Sequence, residues 1–375
     1  MDALVLVINP GSTSTKVALF LGDTSIASDT IYHDASQLEA CPRVIDQLPL
    51  RTLAVRSWTN RQLAALRSGG RPAALTAIAA RGGLLRPLPS GTYLVDNAML
   101  DDLRSPHTRQ HAANLGALIA ASLCEEHGVS AFVTDPVSVD EMDDVARVSG
   151  LPELPRISFS HALSMKHSAR RAANEVGIPY SDARLVVAHL GGGISVSAHV
   201  RGRMIDVNNA NDMGPFSPER VGTLPLTGLL DLAGSMPRDQ LRRRLWGGGG
   251  LVAHLGTNDA REVERRIQAG DKHADLVFQA MAYQVSKEIG AMCAAIGDQP
   301  DAIVLTGGLA YSERFVDMVS RRVSFIARVI VYPGGTEMEA LAGGARRVVS
   351  GAKRARSYAE AVEQRNDEDQ STEAR

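Results

Sequence analysis

The sequence predicts an α/β protein made of two related domains, and three observations lead to this fold class. A strand–turn–strand pattern occurs twice, over residues 5–22 and 185–202, and the second copy lies 180 residues after the first. Apolar strand patterns rich in β-branched residues alternate with helical patterns along the chain. The length of 375 residues fits two domains of roughly 150–200 residues each.

Each copy of the repeat contains an apolar strand, a Gly/Ser turn, an alternating strand and a second glycine turn. The first copy reads VLVINPGSTSTKVALFLG and the second reads LVVAHLGGGISVSAHVRG. Such turns present backbone N–H groups and hydroxyls without bulky side chains, which suits a polyanion. We therefore expect the two turns to bind one phosphate chain.

The remaining elements follow in chain order. Strand patterns occur at residues 4–8, 16–20, 25–32, 75–79, 131–134, 185–189, 195–200, 204–207, 302–305 and 329–332. Helical periodicity is clearest at residues 112–127, 162–176, 275–296, 312–323 and 337–349. Because strands and helices alternate, the pattern favours α/β architecture.

Proline and glycine residues cluster between residues 137 and 155, which indicates a domain boundary. We expect a C-terminal domain over residues 146–337. The N-terminal domain is expected to comprise residues 1–145 and, by analogy with duplicated folds, the returning segment 338–362. The charged tail 363–375 lacks apolar periodicity and is expected to be disordered.

Composition limits the class of partner. The formal net charge of −2 gives no broad basic surface for nucleic acid. No stretch approaches the about 20 apolar residues that span a bilayer, so we expect no membrane partner. The three cysteines have neither metal-site nor disulfide spacing, which favours a reducing, cytoplasmic location.

Six motifs in order carry a family resemblance. They are INPGSTSTK (8–16), RGGLLRP (81–87), HLGGGISV (189–196), GPFSPERVG (214–222), TNDAR (257–261) and LTGGLAYSE (305–313). Together they resemble the acetate/butyrate kinase family, and the first and fourth resemble its butyrate kinase branch. The resemblance implies two duplicated actin-like (ribonuclease H-like) ATPase domains flanking an ATP cleft. It also implies ATP/ADP and Mg²⁺ as cofactors, and a homodimer or higher homo-oligomer.

The first turn offers Ser12, Ser14 and Lys16 to phosphate oxygens, since hydroxyls and a lysine charge suit the β- and γ-phosphates. Asn9 stands where sugar kinases and actin usually carry an aspartate. An amide cannot take over the charge-based role of that aspartate. The resemblance implies that Asn9 instead donates a hydrogen bond to the transferred phosphoryl group.

The second turn contains His189, Gly191, Gly192 and Gly193. Glycine permits close backbone approach to a ligand, and the resemblance assigns this turn to phosphate binding. The family often has asparagine where this chain has Gly192. A backbone contact to phosphate would then replace a side-chain contact.

Arg81 and Arg220 are the candidate catalytic arginines. Guanidinium groups bind carboxylate and phosphoryl oxygens bidentately. The resemblance maps both residues onto the family's catalytic pair, although Arg220 aligns only after a deletion. It also places His161 near the transferred phosphoryl group.

The resemblance implies that Asp135, at the end of a strand, orients the catalytic site and its Mg²⁺. A metal-linked glutamate is expected at the start of the helix that begins near residue 337. Glu337 and Glu339 both fit that place, and we favour Glu337. Acidic residues are also common in a first helical turn for electrostatic reasons alone.

Two segments are candidates for nucleoside binding. Asp259 and Arg261 lie in TNDAR, while Gly307 and Gly308 follow an apolar strand and precede a helix. A Gly-Gly turn there lets adenosine lie against the backbone. The family commonly has an aromatic residue near Ala260, where this chain has no ring for adenine to stack on.

The resemblance assigns Gly83, His111, Ser160 and Pro218 to the substrate pocket. Acetate kinases tend to carry valine at the position of Gly83 and phenylalanine at that of Ser160. Both residues are small here, and each buried CH₂ gains about 0.8 kcal/mol. The sequence therefore favours butyrate, isobutyrate or another branched short acid over acetate.

These parts fit reversible phosphoryl transfer between ATP and a carboxylic acid, giving an acyl phosphate. A carboxylic acid is already ionised at neutral pH and needs no general base, which agrees with Asn9. Acetate/propionate kinase activity is an alternative within the family. A kinase for hydroxyl acceptors, with Asp135 as base, and a nucleotide-gated chaperone-like or actin-like module are further alternatives.

Overall fold

The computed structural model describes residues 2–373, and the side chains of residues 2–365. Its strands are β1 (Leu4–Pro10), β2 (Ser14–Leu21), β3 (Thr24–Tyr32), β4 (Ala77–Ala80), β5 (Thr92–Leu94), β6 (Ser130–Thr134), β7 (Arg184–Leu190), β8 (Ile194–Val200), β9 (Arg203–Val207), β10 (Ala302–Gly307) and β11 (Val329–Pro333). Its helices are α1 (Ala35–Glu39), α2 (Leu48–Ser68), α3 (Asn97–Arg104), α4 (Leu115–His127), α5 (Asp144–Arg147), α6 (Ala162–Glu175), α7 (Leu226–Ser235), α8 (Arg238–Leu245), α9 (Gly250–Leu255), α10 (Ala260–Gln268), α11 (Lys272–Ile296), α12 (Glu313–Val323), α13 (Glu337–Val349) and α14 (Tyr358–Glu373). Short 3₁₀ helices occur at Val44–Gln47, Ala112–Asn114 and Gly308–Tyr311. None of the helices in the described part of the chain is long and apolar enough to cross a membrane.

The described residues form two compact units. Unit 1 runs to Val139 and resumes at Glu337, and unit 2 is Asp140–Thr336. The boundary thus lies before the expected division at 145/146. The reason is local, because Glu141 accepts hydrogen bonds from the buried Lys166 ammonium and from the backbone N–H of Met204 (2.9 Å). These bonds attach the first residues after Val139 to unit 2.

Five strands of each sheet share one topology, and unit 1 adds β5 as an antiparallel edge strand. Unit 1 has the strand order β3-β2-β1-β4-β6-β5, and unit 2 has the order β9-β8-β7-β10-β11. In each sheet an antiparallel hairpin pairs through its first strand with a parallel strand. The predicted duplication is therefore present in the topology as well as in the sequence.

The two hairpins differ by one residue at the turn. Pro10 pairs with Thr15 in unit 1, whereas Leu190 pairs with Ile194 in unit 2. The first turn therefore has one residue more than the second. As a result Asn9 lies opposite Lys16, but His189 lies opposite Ser195. The second turn lacks a lysine at the place corresponding to Lys16.

Each central strand is buried on both faces, as expected of a sheet covered by helices on two sides. In unit 1, Leu6 and Ile8 pack in one cluster with Leu118 of α4. Val7, which points to the other face, is equally buried, and α13 packs against β1, β4 and β6. In unit 2, α11 and α6 both pack against the sheet, and Phe278 of α11 joins the core cluster of β7.

The segment 363–375, expected to be disordered, is helical as far as Glu373, and residues 374 and 375 lie outside the described residues. The helix α14 begins with Tyr358, whose hydroxyl donates to Asp102 (2.6 Å). Val362 is buried in the same core as Tyr358. The following residues are mostly good helix formers, so a helix anchored at its first turns continues. Sequence periodicity also missed α2, α3 and β5.

Adjacent glycines of α13 provide a test of packing in unit 1. A Cβ on Gly344 would lie 2.8 Å from Cβ of Thr134, whereas one on Gly343 would meet only the guanidinium end of Arg347 at 3.3 Å. We expect Gly344→Ala to destabilise unit 1 by about 1–3 kcal/mol through overpacking. Gly343→Ala should change stability by less than about 1 kcal/mol, in the stabilising direction, because alanine favours helix. Urea unfolding of both variants measures the difference, and equal stabilities would contradict this packing.

Candidate functional site

The candidate catalytic residues of unit 1 lie where parallel strands end. Asn9 lies near the end of β1, and Arg81 follows β4, where its backbone N–H donates to the carbonyl of Ile8 (2.9 Å). Glu337, the first residue of α13, accepts from the guanidinium of Arg81 and from the amide of Asn9 (2.8 Å). The carboxyl ends of parallel strands are the usual place for ligands in α/β folds. The structure thus joins three predicted residues into an Arg81–Asn9–Glu337 cluster.

This cluster remains accessible and offers hydrogen-bond donors. The side chains of Arg81 and Glu337 are 18% and 25% exposed. A guanidinium carries five N–H donors, so an ion pair with one carboxylate leaves donors for a ligand oxygen. Lys16 is exposed and lies directly opposite Asn9 in the β1–β2 ladder, on the same face of the sheet. Cationic and amide donors therefore share this face.

Asp135 lies at the same edge but is engaged by a turn. It is 1% exposed, has a positive φ of 39°, and its Oδ1 accepts from the Ser90 hydroxyl (2.6 Å) and the Gly91 N–H (2.9 Å). These bonds hold the segment that leads into β5. The sequence did not predict this role.

Sequence reasoning missed Arg51, whose side chain packs against the turn at residues 11–14 and binds its backbone carbonyls. Arg51 is fully buried, and its guanidinium donates to the carbonyls of Gly11 (2.9 Å), Ser12 (2.8 Å) and Ser14 (3.1 Å). Burial lowers its pKa from the ordinary value. A cation under the turn directs the carbonyls inward, which suits a turn that receives an anion on its other side. No sequence signal marked it, because it is one of several arginines in α2.

Gly83 requires a correction. A Cβ on Gly83 would lie 2.6 Å from Cα of Asn114, so the missing side chain leaves no open space. Asn114 is buried and accepts from the N–H of Leu84 (2.9 Å). The residue is therefore small because two backbones approach closely, and it does not widen a pocket. His111 is exposed and caps the neighbouring 3₁₀ helix by accepting from the N–H of Ala113 (3.1 Å).

In unit 2 the structure brings two predicted histidines together. The rings of His161 and His189 stack with centroids 4.1 Å apart, and His161 Nδ1 lies 3.0 Å from the hydroxyl of Ser195. Gly193 lies above them, since a Cβ there would be 3.5 Å from His161 Cε1 and 4.0 Å from Arg220 Cγ. Four predicted residues thus form one site in unit 2.

Arg220 is fixed by residues that the sequence analysis did not identify. Its guanidinium donates to the side chain of Asn211, and its backbone N–H donates to Oγ of Ser217 (3.1 Å). The Ser217 hydroxyl in turn donates to the carbonyl of Gly192 (2.6 Å). The arginine segment and the glycine turn are therefore one hydrogen-bonded assembly. Ser160 is also buried, and its hydroxyl has no hydrogen-bond partner among the described residues.

A cavity of about 710 Å³ opens beside the glycine turn of unit 2. Its walls are formed by Gly191, Gly192, Pro218, Glu219, Asn258, Asp259, Ala260, Arg261, Glu264, Gly308, Leu309, Tyr311 and Ser312. This volume is within the usual range for small-molecule sites, about 300–1,000 Å³. A Cβ on Gly308 would meet nothing within 4 Å, so this glycine faces open space. Pro218, expected in the substrate pocket, lines this cavity with the predicted nucleoside residues.

Other predicted nucleotide residues contribute in different ways. Gly307 is absent from the cavity walls, and with φ of 95° it lets β10 pass close to the backbone of Leu190. Asp259 caps α10 and accepts from the backbone and side chain of Arg261 (2.9 and 2.8 Å). These hydrogen bonds from Arg261 lower the pKa of Asp259 to about 2. Both carboxylate oxygens of Asp259 thus already accept hydrogen bonds from Arg261.

The role of Arg51 can be tested by substitution. Arg51→Ala leaves buried carbonyls without their donor, so we expect a loss of about 2–4 kcal/mol in unfolding free energy. Arg51→Lys cannot reproduce the forked geometry and should recover little of it. The matched control is Arg56→Ala on the same helix, where a half-exposed ion pair with Glu126 is worth at most about 1 kcal/mol. Chemical denaturation compares the three, and equal effects of Arg51→Ala and Arg56→Ala would refute the role.

Comparisons with known proteins identify the family. A model described as the acetokinase family matches residues 156–327. The protein "Probable butyrate kinase 2" of Caldanaerobacter subterraneus subsp. tengcongensis is 50% identical over 356 residues, covering 94% of this chain and 99% of that protein.

Solved structures of similar fold include the acetate kinase of Porphyromonas gingivalis, with a TM-score of 0.72 at 20% identity. That match covers 92% of this chain and 99% of the acetate kinase. The acetate kinase of Entamoeba histolytica has a TM-score of 0.70 at 18% identity, covering 91% and 98% of the two chains. These two likenesses confirm the predicted fold class. Together with the half-identical relative of nearly equal length, they lead to one conclusion: the chain belongs to the acetokinase family.

Proposed function

We propose that this protein is a short-chain carboxylate kinase that transfers a phosphoryl group reversibly between ATP and butyrate, isobutyrate or another branched short acid. The products are the acyl phosphate and ADP. The observation that carries the proposal is the Arg81–Asn9–Glu337 cluster, in which an amide stands at the end of β1. The carboxylate of the cluster, Glu337, is held by Arg81 and Asn9, and a carboxylate acceptor, ionised at neutral pH, needs no base. A hydroxyl acceptor would need one.

The residues support transfer by positioning and charge stabilisation, without a covalent intermediate on the protein. The cavity of unit 2 accepts the nucleotide, with the glycine turn at Gly191 and Gly192 beside its phosphates and the ionised Asp259 beside ribose hydroxyls. Arg81 and Arg220 donate to oxygens on which negative charge develops. The relative that is 50% identical is named a probable butyrate kinase, which supports butyrate as the acceptor.

Mg²⁺ is compatible with the donor set. No group of three or more His, Cys, Asp or Glu side chains among the described residues forms a closed metal site. Mg²⁺ in such enzymes usually binds through one or two carboxylates together with phosphates and water, and it then neutralises phosphate charge. Glu337 fits this role better than Glu339, because Glu337 joins the cluster while Glu339 is exposed on α13.

The activity is tested by trapping the acyl phosphate as a hydroxamate, with ATP and a panel of C2–C6 acids. We expect kcat/KM to be higher for butyrate and isobutyrate than for acetate. A preference for acetate or propionate would favour the alternative within the family. ATP turnover with hydroxyl acceptors and no hydroxamate from any acid would overturn the proposal.

The three free thiols agree with a reducing cytoplasm.

Loss of either arginine should abolish most turnover. Arg81→Ala and Arg220→Ala should each lower kcat by about 10³-fold, the scale for an arginine acting on phosphoryl charge. Arg321→Ala, which removes a surface ion pair with Asp317, is the control and should leave kcat within about twofold. Circular dichroism verifies the fold of each variant. Near-normal kcat in Arg81→Ala or Arg220→Ala would show that the residue has no catalytic role.

Gly83 should affect stability and not chain length. Gly83→Ala pushes a methyl group into Asn114, so we expect destabilisation of about 1–3 kcal/mol. The values of kcat/KM for acetate, propionate, butyrate and isobutyrate should fall by one common factor. If kcat/KM fell only for butyrate and isobutyrate, Gly83 would determine chain-length specificity after all.

A further inference from the structure

The nucleotide cavity of unit 2 has an end with distinct chemistry. An adjoining cavity of about 410 Å³ shares three wall residues with it, namely Glu264, Tyr311 and Ser312. Neither Gly191 nor Gly192 lines the adjoining cavity. The shared residues therefore mark the end of the main cavity that lies away from the glycine turn. In the proposed function the phosphates lie at the glycine turn, so the shared residues lie at the opposite end, where the base would be.

Tyr311 is the one aromatic residue among the described walls of the main cavity. Tyr311 is largely exposed, at 71%. The ring is supported at Gly334, where φ is 93° and a Cβ would lie 3.1 Å from the Tyr311 Cζ. A residue with a side chain there would displace the ring. Ala260, in the same cavity wall, offers no ring for stacking.

Glu264 supplies a carboxylate at the same end. It is partly buried on α10, and one of its oxygens accepts from the hydroxyl of Ser312. The same Ser312 oxygen caps α12 by accepting from the N–H of Phe315 (3.0 Å). The capping residue of α12 thus fixes the position of the carboxylate on α10. A carboxylate only accepts hydrogen bonds, and its two oxygens have about four acceptor sites, so it suits a ligand that presents an N–H donor.

We propose that Tyr311 and Glu264 recognise the base of the nucleotide. The Tyr311 ring stacks on the base, and the Glu264 carboxylate accepts a hydrogen bond from an exocyclic amino group such as that of adenine. Open space at Gly308 gives the nucleoside room against the backbone. The inference rests on the proposed function only in that a nucleotide occupies this cavity. It assigns base selectivity to two residues outside the catalytic cluster.

Stacking is tested by nucleotide affinity in the absence of any acid. Tyr311→Ala should raise the Kd for ATP by about 5- to 100-fold, the range for loss of one base–aromatic stack. Tyr311→Phe keeps the ring and should stay within about threefold of the wild type. Phe325→Ala, which truncates an 83% exposed aromatic side chain outside both cavities, is the control and should not change Kd. An unchanged Kd in Tyr311→Ala would overturn the stacking role.

The carboxylate is tested with a matched ligand pair. Purine riboside triphosphate has the rings, ribose and phosphates of ATP but lacks the amino group. The wild type should bind it about 10-fold or more weakly than ATP, the scale of a hydrogen bond to a charged group. Glu264→Ala should bind both equally, and Glu264→Gln should give an intermediate ratio. A merely structural role would weaken both ligands alike and leave the ratio unchanged, which would overturn the proposal.

The two proposals fail in different ways. If acids are phosphorylated but the Tyr311 and Glu264 variants keep wild-type affinities and ratios, the base inference is wrong and the proposed activity stands. If no acid is phosphorylated but the binding differences appear, the base inference stands and the proposed activity is wrong.

Discussion

The contact between Arg51 and the turn at residues 11–14 is the interaction on which the candidate phosphate-binding turn of unit 1 depends. A buried guanidinium is costly unless its donors are satisfied. Here backbone carbonyls of the turn satisfy them. The carbonyls bind the guanidinium, while the hydroxyl-bearing residues Ser12 and Thr13 remain exposed to solvent. Helix α2 thereby fixes the shape of a segment that has no core side chains of its own.

Duplication of one topology has produced two hairpins with different chemistry. The hairpin of unit 1 has a longer turn and places Lys16 beside Asn9. The hairpin of unit 2 has a shorter turn and ends in His189, whose ring stacks on that of His161. A change of one residue in turn length changes which residues face each other in the ladder. Because side chains alternate between the two faces of a sheet, different side chains then share a face. The groups beside Asn9 and His189 therefore differ although the two strand sequences correspond.

Glycine has opposite meanings at different places in this molecule. At Gly83 and Gly344 the absent side chain lets two parts of the backbone or core approach, so the residue serves packing. At Gly308 the space next to the Cα is open and lies in a cavity wall, so the residue leaves room for a ligand. The letter in the sequence is the same in all three cases. Only the neighbours, which come from distant segments, distinguish packing from binding.

The sequence by itself determined the α/β class, the duplicated hairpins, the principal strands and the residues of both glycine turns. These properties depend on local periodicity and on short motifs, which a linear pattern records. The sequence did not reveal α2, the helical continuation of α14, or the roles of Arg51 and Asn114. Those depend on contacts between segments far apart in the chain, such as the bonds from Arg51 to Ser12 and from Leu84 to Asn114. Tertiary structure decided them, because burial and hydrogen-bond partners exist only once the chain has folded.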